Sequence, residues 1–257
     1  MTANEQKDLT LLLEAIGMPQ EMCACLLDET SEPLPGTDVL RTQLLQGLEN
    51  RRDGPWKGLP EDVFLATFGA FSRFVREHRT SYGICGFDRG FWTTRQVEAK
   101  LFRIGELEYE LTQKEGRPVI SLHIPGDAKL EAPLLNESAA SMRAFFARFF
   151  PERKDDPVFL SSWLLSPALK DLLPDTSRIL AFQRSFGTEH FDPEPVDCLE
   201  WVFQLAPGQI ESADLSSLPE KTTLQKNMKA FLLSGGKVGC ADGFLVRPFA
   251  GPSDLTS

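Results

Sequence analysis

The stretch LFRIGELEYELTQKEGRPVISLHI, at residues 101–124, carries the clearest strand signal in the chain. In its middle part, apolar and acidic residues alternate one by one. The apolar set is Leu107, Tyr109 and Leu111, and the acidic set is Glu106, Glu108 and Glu110. Because successive side chains of a strand point to opposite faces, this period of two predicts a strand with one apolar face and one solvated acidic face.

The residues on either side of this strand extend it into a small sheet. Residues 101–104 form an apolar strand upstream, and Gly105 suits the turn that joins the two strands. Residues 117–124 supply a third strand, with apolar residues at every second position from Ile120. We therefore predict a meander of three antiparallel strands.

Helices and single strands follow this meander. A loop at residues 125–132 leads into a long helix that Pro133 starts and Pro151 ends. We predict further strands at residues 158–164 and 244–249, while two other segments are compatible with either a strand or a helix. These ambiguous segments are residues 179–186 and 198–205.

Upstream of residue 80, the sequence has the periodicity of amphipathic helices. Its apolar stripes include Leu9, Leu12, Leu13 and Ile16, then Leu40, Leu44 and Leu48, then Phe64, Phe68, Phe71 and Val75. We interpret these stripes as helix-on-helix core rather than as walls of a ligand pocket. Gly83, Gly86 and Gly90 then predict a loop or crossing between two halves. We expect an α+β protein, with a helical N-terminal domain at residues 1–85 and a mixed sheet flanked by helices at residues 86–257.

Composition and charge limit the possible functions. The chain has 257 residues, of which 42% are hydrophobic and 25% charged, as in ordinary soluble globular proteins. Its net charge is −10, from 37 acidic and 27 basic residues, so nucleic acid is not an expected partner. The 19 phenylalanines against 2 tyrosines indicate substantial apolar cores, since phenylalanine needs no hydrogen-bond partner.

The first residues and the cysteines predict a location. The opening MTANEQKDLT is polar and lacks the apolar run of a signal peptide. No window of the sequence approaches the ~18 consecutive apolar residues of a membrane span. Five scattered cysteines suit free thiols in a reducing compartment, and only three histidines argue against a zinc site. We therefore expect a cytoplasmic protein without a membrane segment or a bound metal.

Several catalytic motifs are absent from the sequence. It contains no G-x-S-x-G nucleophile elbow, no H-E-x-x-H zinc motif and no G-x-G-x-x-G dinucleotide motif. The tripeptide Gly235-Gly236-Lys237 superficially suggests a phosphate-binding loop, but it follows a predicted helix and precedes a predicted strand, which is the reverse of the usual order. We interpret its glycines as the end of the last helix.

Seven segments carry a resemblance to a known family. They are YGICGFDRGFWTTRQ at residues 82–96, LFRIGELEYEL at 101–111, HIPGDAKL at 123–130, ARFFP at 147–151, SWLLSPALKDLLP at 162–174, ILAFQRSF at 179–186 and FLLSGGKVG at 231–239. In these segments the chain resembles bacterial acyltransferase domain-containing proteins, which pair a helical N-terminal domain with a GNAT-like C-terminal domain. The resemblance implies a bacterial, two-domain N-acyltransferase that transfers an acyl group from acyl-CoA to a small amine.

The resemblance also implies where coenzyme A would bind. In GNAT proteins a strand, a loop and a helix start hold the pyrophosphate, because free backbone N–H groups and the helix dipole favour an anion. The implied cofactor-binding residues are Ile124, Gly126, Lys129 and Arg143. The loop departs from the R/Q-x-x-G-x-G/A signature of GNAT enzymes, since it has a single glycine and adds Asp127. The GNAT sheet further implies one upstream strand, which we expect within residues 83–92.

Catalysis is implied beside the strand that ends at Ile124, where the acyl-pantetheine arm lies in GNAT proteins. Attack of an amine on a thioester benefits from a general base, and His123 on this strand suits that role. Ser161, Ser162 and Trp163 on the following strand would line the opposite wall. Tyr109 would protonate the leaving thiolate. Each also has a structural interpretation: a histidine at a strand end, buried strand residues, and a core tyrosine.

A second group of candidates lies in the glycine-rich junction between the two halves, where ligand clefts are common. The group consists of Arg89, Trp92 and Arg95. Arg89 and Trp92 are expected to bind substrate there, with Trp163 as a further substrate-binding residue, although Arg89 is also placed to pair with Asp88. Weaker candidates are Gln183, Arg184 and His190. The alternative function is a catalytically inactive GNAT-like binding or regulatory module, which the atypical loop favours. The acyl donor, the acceptor and the oligomeric state stay open.

Overall fold

The computed structural model describes residues 1–28 and 32–252. Its internal contacts divide the chain into two compact units. The first unit contains residues 1–104 and 108–110, and the second contains residues 105–107 and the described residues from 111 onward. Helices followed by a mixed sheet with further helices confirm the α+β class. The domain boundary between residues 85 and 86 stays a prediction.

In the described part of the chain, five helices precede the first strand. They are α1 (Ala3–Ala15), α2 (Gln20–Leu27), α3 (Thr37–Asp53), α4 (Glu61–Tyr82) and α5 (Gly90–Val97). A capping box starts α1, since the Thr2 hydroxyl accepts the Glu5 N–H and the Glu5 carboxylate accepts the Thr2 N–H. Pro60 precedes α4, and Gly83 ends it with a φ of 76°, a left-handed conformation that glycine adopts readily.

The phenylalanine stripe of α4 lies in the core of the first unit. Its buried members include Phe64, Phe68 and Phe71. Trp56 packs edge-on against Phe64, and its indole N–H donates a 2.7 Å hydrogen bond to the Gln96 carbonyl oxygen. The large ring is therefore buried while its polar group stays satisfied. Most members of the predicted apolar stripes are buried in the core, as interpreted from the sequence, whereas Leu48 on α3 is only partly buried.

The strand expected within residues 83–92 is not found there, and that prediction was wrong. Helix α5 begins at Gly90, inside this range, and the backbone of the segment forms its hydrogen bonds within the first unit. The Phe87 N–H donates to the Pro35 carbonyl oxygen, and the Gln43 side-chain amide donates to the Gly90 carbonyl oxygen. These contacts satisfy backbone groups that a strand would pair with its neighbour.

Six strands of the described chain form one mixed sheet. They are β1 (Leu101–Ile104), β2 (Leu107–Lys114), β3 (Arg117–His123), β4 (Val158–Ser162), β5 (Phe186–Asp192) and β6 (Cys240–Leu245). Their order across the sheet is β1-β2-β3-β4-β6-β5. Strands β3 and β4 are parallel, whereas β6 is antiparallel to both β4 and β5. The first three strands lie where they were predicted, and the closing strand begins four residues earlier than expected.

The described helices of the second unit occur in the sequence between consecutive strands, from β3 to β6. They are α6 (Ala132–Phe149), α7 (Leu169–Leu172), α8 (Arg178–Gln183), α9 (Asp197–Phe203) and α10 (Thr223–Leu233). Pro133 lies in the first turn of α6, as predicted. The two ambiguous segments are mainly helical, as α8 and α9, and β5 was not predicted. The end of α10 before Gly235, whose φ is 87°, confirms the interpretation of the glycine pair.

The acidic face of β2 is not solvated, and that prediction was wrong. Glu108 is 2% exposed, and its Oε1 accepts a 2.8 Å hydrogen bond from Nη2 of Arg73 on α4. Oε1 of Glu110 accepts a 3.1 Å hydrogen bond from Nε of Arg95 on α5. The alternation predicted which residues share a face, but arginines from two helices pair with these carboxylates and compensate their burial.

The described residues also bear on membrane, thiol and metal chemistry. Across residues 1–28 and 32–252, no helix combines the length and apolarity that crossing a membrane requires. All five cysteines are free thiols. Burial raises the pKa of Cys198 to about 12, so this thiol stays protonated at neutral pH. Within the same residues, no group of three or more His, Cys, Asp or Glu side chains is arranged to hold a metal ion.

Candidate active site

The parallel strands β3 and β4 pair over a short stretch. Their register joins Ile120 to Val158 and Ser121 to Phe159. Both strands continue beyond these pairs, β3 to His123 and β4 to Ser162. The carboxyl ends of the two strands therefore extend beyond their paired residues, and we name the unpaired region between them the wedge.

A row of polar side chains crosses the sheet beside the wedge. On β6, Asp242 lies opposite Ser161 of β4 on one side and opposite His190 of β5 on the other. Directly opposed residues of neighbouring strands point to the same face of a sheet. His123 shares this face, because it follows the paired residue Ser121 by two positions, as Ser161 follows the paired residue of β4. We name His123, Ser161, Asp242 and His190 the polar row.

A β-bulge decides which residue of β5 joins the polar row. The register between β5 and β6 shifts between Thr188 and His190, so Glu189 is left out of the pairing. Without this shift, Glu189 would face Asp242, and two carboxylates would lie side by side. The bulge instead places an imidazole beside the carboxylate.

Asp242 is the electrostatic centre of the polar row. Its Oδ2 accepts a 2.7 Å hydrogen bond from Nζ of Lys114, and the same ammonium lies 4.2 Å from the ring centre of Phe159. Burial opposes ionisation of Asp242, but hydrogen bonds with Lys114 and Ser161 outweigh it and hold the pKa of this carboxyl below its ordinary value. Asp242 is therefore a carboxylate at neutral pH.

The loop after β3 leads into the start of α6. Glu131 precedes this helix and makes no side-chain hydrogen bond to its first turn, so backbone N–H groups remain at the helix start. The Lys129 N–H donates a 2.8 Å hydrogen bond to Oε2 of Glu106, and the Glu131 carboxylate lies 3.1 Å from Nη1 of Arg178. A helix start that attracts anions thus has two carboxylates and a guanidinium close by.

Three of the four predicted cofactor-binding residues lie together between β3 and α6. Ile124 directly follows β3 and is partly buried, Gly126 is exposed, and Lys129 is exposed near the end of the loop. They occupy the place that the resemblance assigned to the pyrophosphate loop. Their role in binding stays a prediction.

Arg143 lies apart from this loop. It is eleven residues after Ala132 on α6, about 16 Å along the axis at the rise of an α-helix. Its Nη1 donates hydrogen bonds of 2.8 and 2.9 Å to the carbonyl oxygens of Lys154 and Asp156. The guanidinium therefore fixes the segment that precedes β4.

Ser162 and Trp163 end β4 and begin a short 3-10 turn. Ser162 lies opposite Ala241 on β6 and so points to the face opposite the polar row. Its Oγ accepts a 3.1 Å hydrogen bond from the Leu164 N–H and caps the turn. Trp163 packs against an apolar cluster that contains Leu169. The structure thus brings both residues to the end of β4 but does not bring Ser162 to the side of His123.

Of the remaining candidates, Tyr109, Arg89 and Trp92 lie in the first unit, whereas Gln183 and Arg184 lie in the second. Tyr109 is 1% exposed and belongs to the core. Arg89 precedes α5, and its Nε lies 3.5 Å from Oδ1 of Asp88, which is the alternative pairing considered for it. Trp92 lies on α5, with the guanidinium of Arg95 4.3 Å from its ring centre. Arg89 and Trp92 share one helical turn, since the Trp92 N–H donates to the Arg89 carbonyl oxygen.

Sequence reasoning missed Asp242 and Lys114. Asp242 lay outside the closing strand that was predicted to start at residue 244, and Lys114 follows the last residue of the alternating run. A predicted closing strand that started before residue 242 would have included Asp242 and indicated the face of the sheet on which its side chain lies. The contact between the two residues joins positions 128 apart in sequence, so no local pattern could indicate it.

Comparison with protein-family models gives two matches. Residues 101–245 match a model described as a GNAT-like C-terminal domain, and this match covers more than half of the chain. Residues 56–99 match a model described as an N-acyltransferase N-terminal domain. No curated protein matches this chain.

Several solved structures are similar to this chain. An acyltransferase in complex with decanoyl-CoA and teicoplanin is 28% identical, with a TM-score of 0.73, and the match covers 82% of this chain and 66% of that one. An acyltransferase in complex with CoA and 10C-teicoplanin is 29% identical, with the same TM-score and coverage. The chain therefore spans slightly less than two thirds of the length of these two proteins.

A third structure supports the fold. It is an acyltransferase mutant in complex with octanoyl-CoA, and its TM-score is 0.81 over 94% of this chain and 88% of that chain. Its identity of 24% is low, so this likeness shows the shared architecture alone. Both compact units lie largely within the matched part of the chain.

Proposed function

The chain belongs to the family whose model describes a GNAT-like C-terminal domain, and from that premise we propose that it is an acyl-CoA-dependent N-acyltransferase. The observation that carries the proposal is the wedge, where pairing of β3 with β4 ends before either strand does. Strand edges offer backbone hydrogen-bonding groups to an extended ligand, so an acyl-pantetheine arm suits the wedge. The start of α6 then suits the anionic pyrophosphate.

The similar structures support the choice of donor. Two acyltransferases at 28% and 29% identity were crystallised with decanoyl-CoA and with CoA. We therefore propose acyl-CoA as the donor for this chain, with a medium-length acyl group as the first to test. Ile124, Gly126 and Lys129 are the proposed contacts for the pantetheine and phosphates, and Arg178 is a further cation beside the same helix start.

The proposed reaction is direct attack of the acceptor amine on the thioester. The neutral amine nitrogen bonds to the acyl carbonyl carbon, the C–S bond breaks, and the CoA thiolate leaves and takes up a proton. An acceptor that arrives as an ammonium ion loses one proton before the attack and a second proton after it. We propose that His123 takes the first proton, because it lies at the wedge on the face of the polar row. The second proton is the one that the leaving thiolate takes up. We assign no step to Ser162 or Tyr109, whose positions are those of a turn cap and a core residue.

The proposed acceptor is a small molecule that carries a primary amine. Asp242 is ionised on the same face as His123, and a carboxylate attracts the ammonium form in which such an amine reaches the protein. Two of the similar structures contain teicoplanin or its 10C derivative, so amine-bearing glycopeptides belong in the same screen. Arg89, Trp92 and Trp163 remain proposed substrate contacts.

Binding of the donor tests the proposal without requiring the acceptor. A ligand that binds only the folded protein raises the free energy of unfolding by about 2.7 kcal/mol at a concentration of 100 times Kd. We expect decanoyl-CoA and CoA to raise the melting temperature, and decanoic acid without CoA to leave it unchanged. An unchanged melting temperature with saturating acyl-CoAs of several chain lengths would contradict the proposal.

The second candidate is a catalytically inactive module of the same fold. The loop before α6 favours it, because the Glu106 carboxylate already accepts the Lys129 N–H and Asp127 adds a second negative charge. Such a module binds acyl-CoA but releases no thiol when amines are added. Thermal stabilisation by acyl-CoA without any amine-dependent thiol release would therefore favour this candidate over the enzyme.

A further inference from the structure

The ammonium group of Lys114 occupies a position built by other strands. Its Nζ lies 2.7 Å from Oδ2 of Asp242 on β6 and 4.2 Å from the ring centre of Phe159 on β4. A carboxylate and an aromatic face at such distances are two groups that bind an alkylammonium ion favourably. The chain thus shows, with its own side chain, that a primary ammonium fits this position.

Lys114 reaches this position from a distant strand. It is the last residue of β2, and β3 and β4 separate β2 from β6 in the sheet. Three strand spacings of about 4.8 Å exceed the reach of a lysine side chain across a flat sheet. The contact therefore requires the sheet to twist or curve so that the end of β2 approaches β6.

The contact is open to water rather than part of a packed core. The side chains of Lys114 and Asp242 are 25% and 21% exposed. An ion pair with this exposure contributes modestly to stability, because water screens it and the long lysine side chain loses conformational freedom. A second ammonium ion in solution can therefore compete with Lys114 for Asp242.

The same position borders the wedge. Asp242 lies directly opposite Ser161, and Ser161 follows Phe159, the last residue of β4 that pairs with β3. An ammonium bound at Asp242 is consequently about one strand spacing from the wedge, which is assigned to the acyl-pantetheine arm. His190 lies on the other side of Asp242.

We propose that Asp242 and Phe159 form the subsite for the ammonium group of the acceptor, and that Lys114 fills this subsite until a substrate ammonium displaces it. The ligand class is a primary alkylammonium ion. Lys114 thereby competes with the substrate ammonium for Asp242 and raises the acceptor concentration that is needed to fill the subsite. Only the role of the bound ammonium as an acyl acceptor rests on the proposed function.

A binding experiment without acyl-CoA tests the subsite directly. The full chain is titrated with n-butylammonium chloride at constant ionic strength, and the dissociation constant is measured by NMR. Lys114→Met keeps the length of the side chain without its charge, and we expect it to bind the probe about tenfold more tightly than the wild type, as removal of a charge-assisted competitor predicts. Asp242→Asn is expected to abolish binding. Glu189→Gln is the matched control, because this carboxylate lies outside the β5–β6 pairing, and it should behave as the wild type.

Kinetics give a second, independent readout. With acyl-CoA saturating, Lys114→Met should lower KM for a primary amine about tenfold and leave KM for acyl-CoA unchanged.

Phe159→Leu removes the aromatic face without removing a charge and should weaken probe binding, which keeps the proposal testable if Lys114→Met unfolds. Probe affinity in Lys114→Met equal to or weaker than that of the wild type overturns the subsite, as does unchanged binding in Asp242→Asn. Probe binding in a chain that binds no acyl-CoA would contradict the donor proposal and leave the subsite standing.

Discussion

Asp242 on β6 faces or contacts residues on three other strands of the sheet. It lies opposite Ser161 and His190 on the two neighbouring strands, and it holds the ammonium of Lys114 from β2. Each of these contacts favours the carboxylate form. The residue therefore both organises the charge of the polar row and supplies the negative group that an amine acceptor needs.

The stability contributed by Asp242 depends on pH in a defined direction. Its pKa in the folded protein is below the ordinary value of 3.8, so its contribution is complete above that value and is lost as the pH falls through the folded pKa. We expect Asp242→Asn to lower the melting temperature at pH 7, and the difference from the wild type to shrink below pH 3.8. Thermal unfolding followed by circular dichroism at several pH values measures this. A difference that stays constant between pH 7 and pH 3 would refute the assignment.

Kinetics can distinguish the roles of the two histidines of the polar row. A positioned general base typically contributes 100-fold to 10,000-fold to the rate. We expect His123→Ala to lower kcat by about 100-fold or more, with acyl-CoA binding retained, and His190→Ala to have a smaller effect on kcat. Steady-state kinetics with acyl-CoA and a primary amine measure both. Full turnover in His123→Ala together with loss of turnover in His190→Ala would contradict this assignment and identify His190 on β5 as the base.

The sequence predicted the position of some single residues of the site but not their partners. The period of two correctly placed Glu108 and Glu110 on one face of β2, but the arginines that cover them come from helices more than ten residues upstream. The strand at residues 117–124 placed His123 next to the wedge. Asp242 escaped prediction, because its partners are set by strand order and by a bulge in β5, neither of which has a local signature.

Strands β3 and β4 and the helix α6 are the elements that define the candidate site. Their positions were predictable, because β3 alternates regularly, β4 is strongly apolar and prolines flank α6. Strand β5 was missed, since its sequence FGTEHFD lacks alternation and lies at the edge of the sheet, where one side needs no partner. The expected strand within residues 83–92 failed because its backbone bonds to helices and loops of the first unit.

Helix α4 and strand β2 are joined by a buried ion pair that can be tested. The side chains of Arg73 and Glu108 are 10% and 3% exposed. Removing one partner of such a pair leaves a buried charge without compensation, which typically costs about 3–5 kcal/mol. We expect Arg73→Met to lower the free energy of unfolding by this amount, and the double variant Arg73→Met with Glu108→Met to recover much of the loss.

Chemical denaturation followed by fluorescence measures both variants of this pair. The single variant Glu108→Met leaves Arg73 with Glu77 as a nearby carboxylate, at 3.6 Å from its Nε, and serves as the intermediate case. If the double variant were as unstable as Arg73→Met, the loss would come from packing rather than from an uncompensated charge.

At the scale of the whole molecule, the net charge of −10 opposes an anionic donor. Glu108 and Glu110 do not add to this excess, since each pairs with an arginine within the first unit. In the second unit, the loop before α6 keeps Glu106, Asp127 and Glu131 near the proposed pyrophosphate site. Binding of CoA must therefore rest on local donors at the helix start rather than on long-range attraction.

Amine-dependent release of the CoA thiol shows whether this chain transfers an acyl group from acyl-CoA to a primary amine. The wild-type chain is incubated with decanoyl-CoA and a panel of primary amines that includes amine-bearing glycopeptides, and the free thiol is quantified together with the acylated product by mass spectrometry. We expect one CoA to be released for each amide formed, with release suppressed in Asp242→Asn and unchanged in Glu189→Gln. Thiol release that is the same with and without amine, and no amide product with any acceptor, would contradict it.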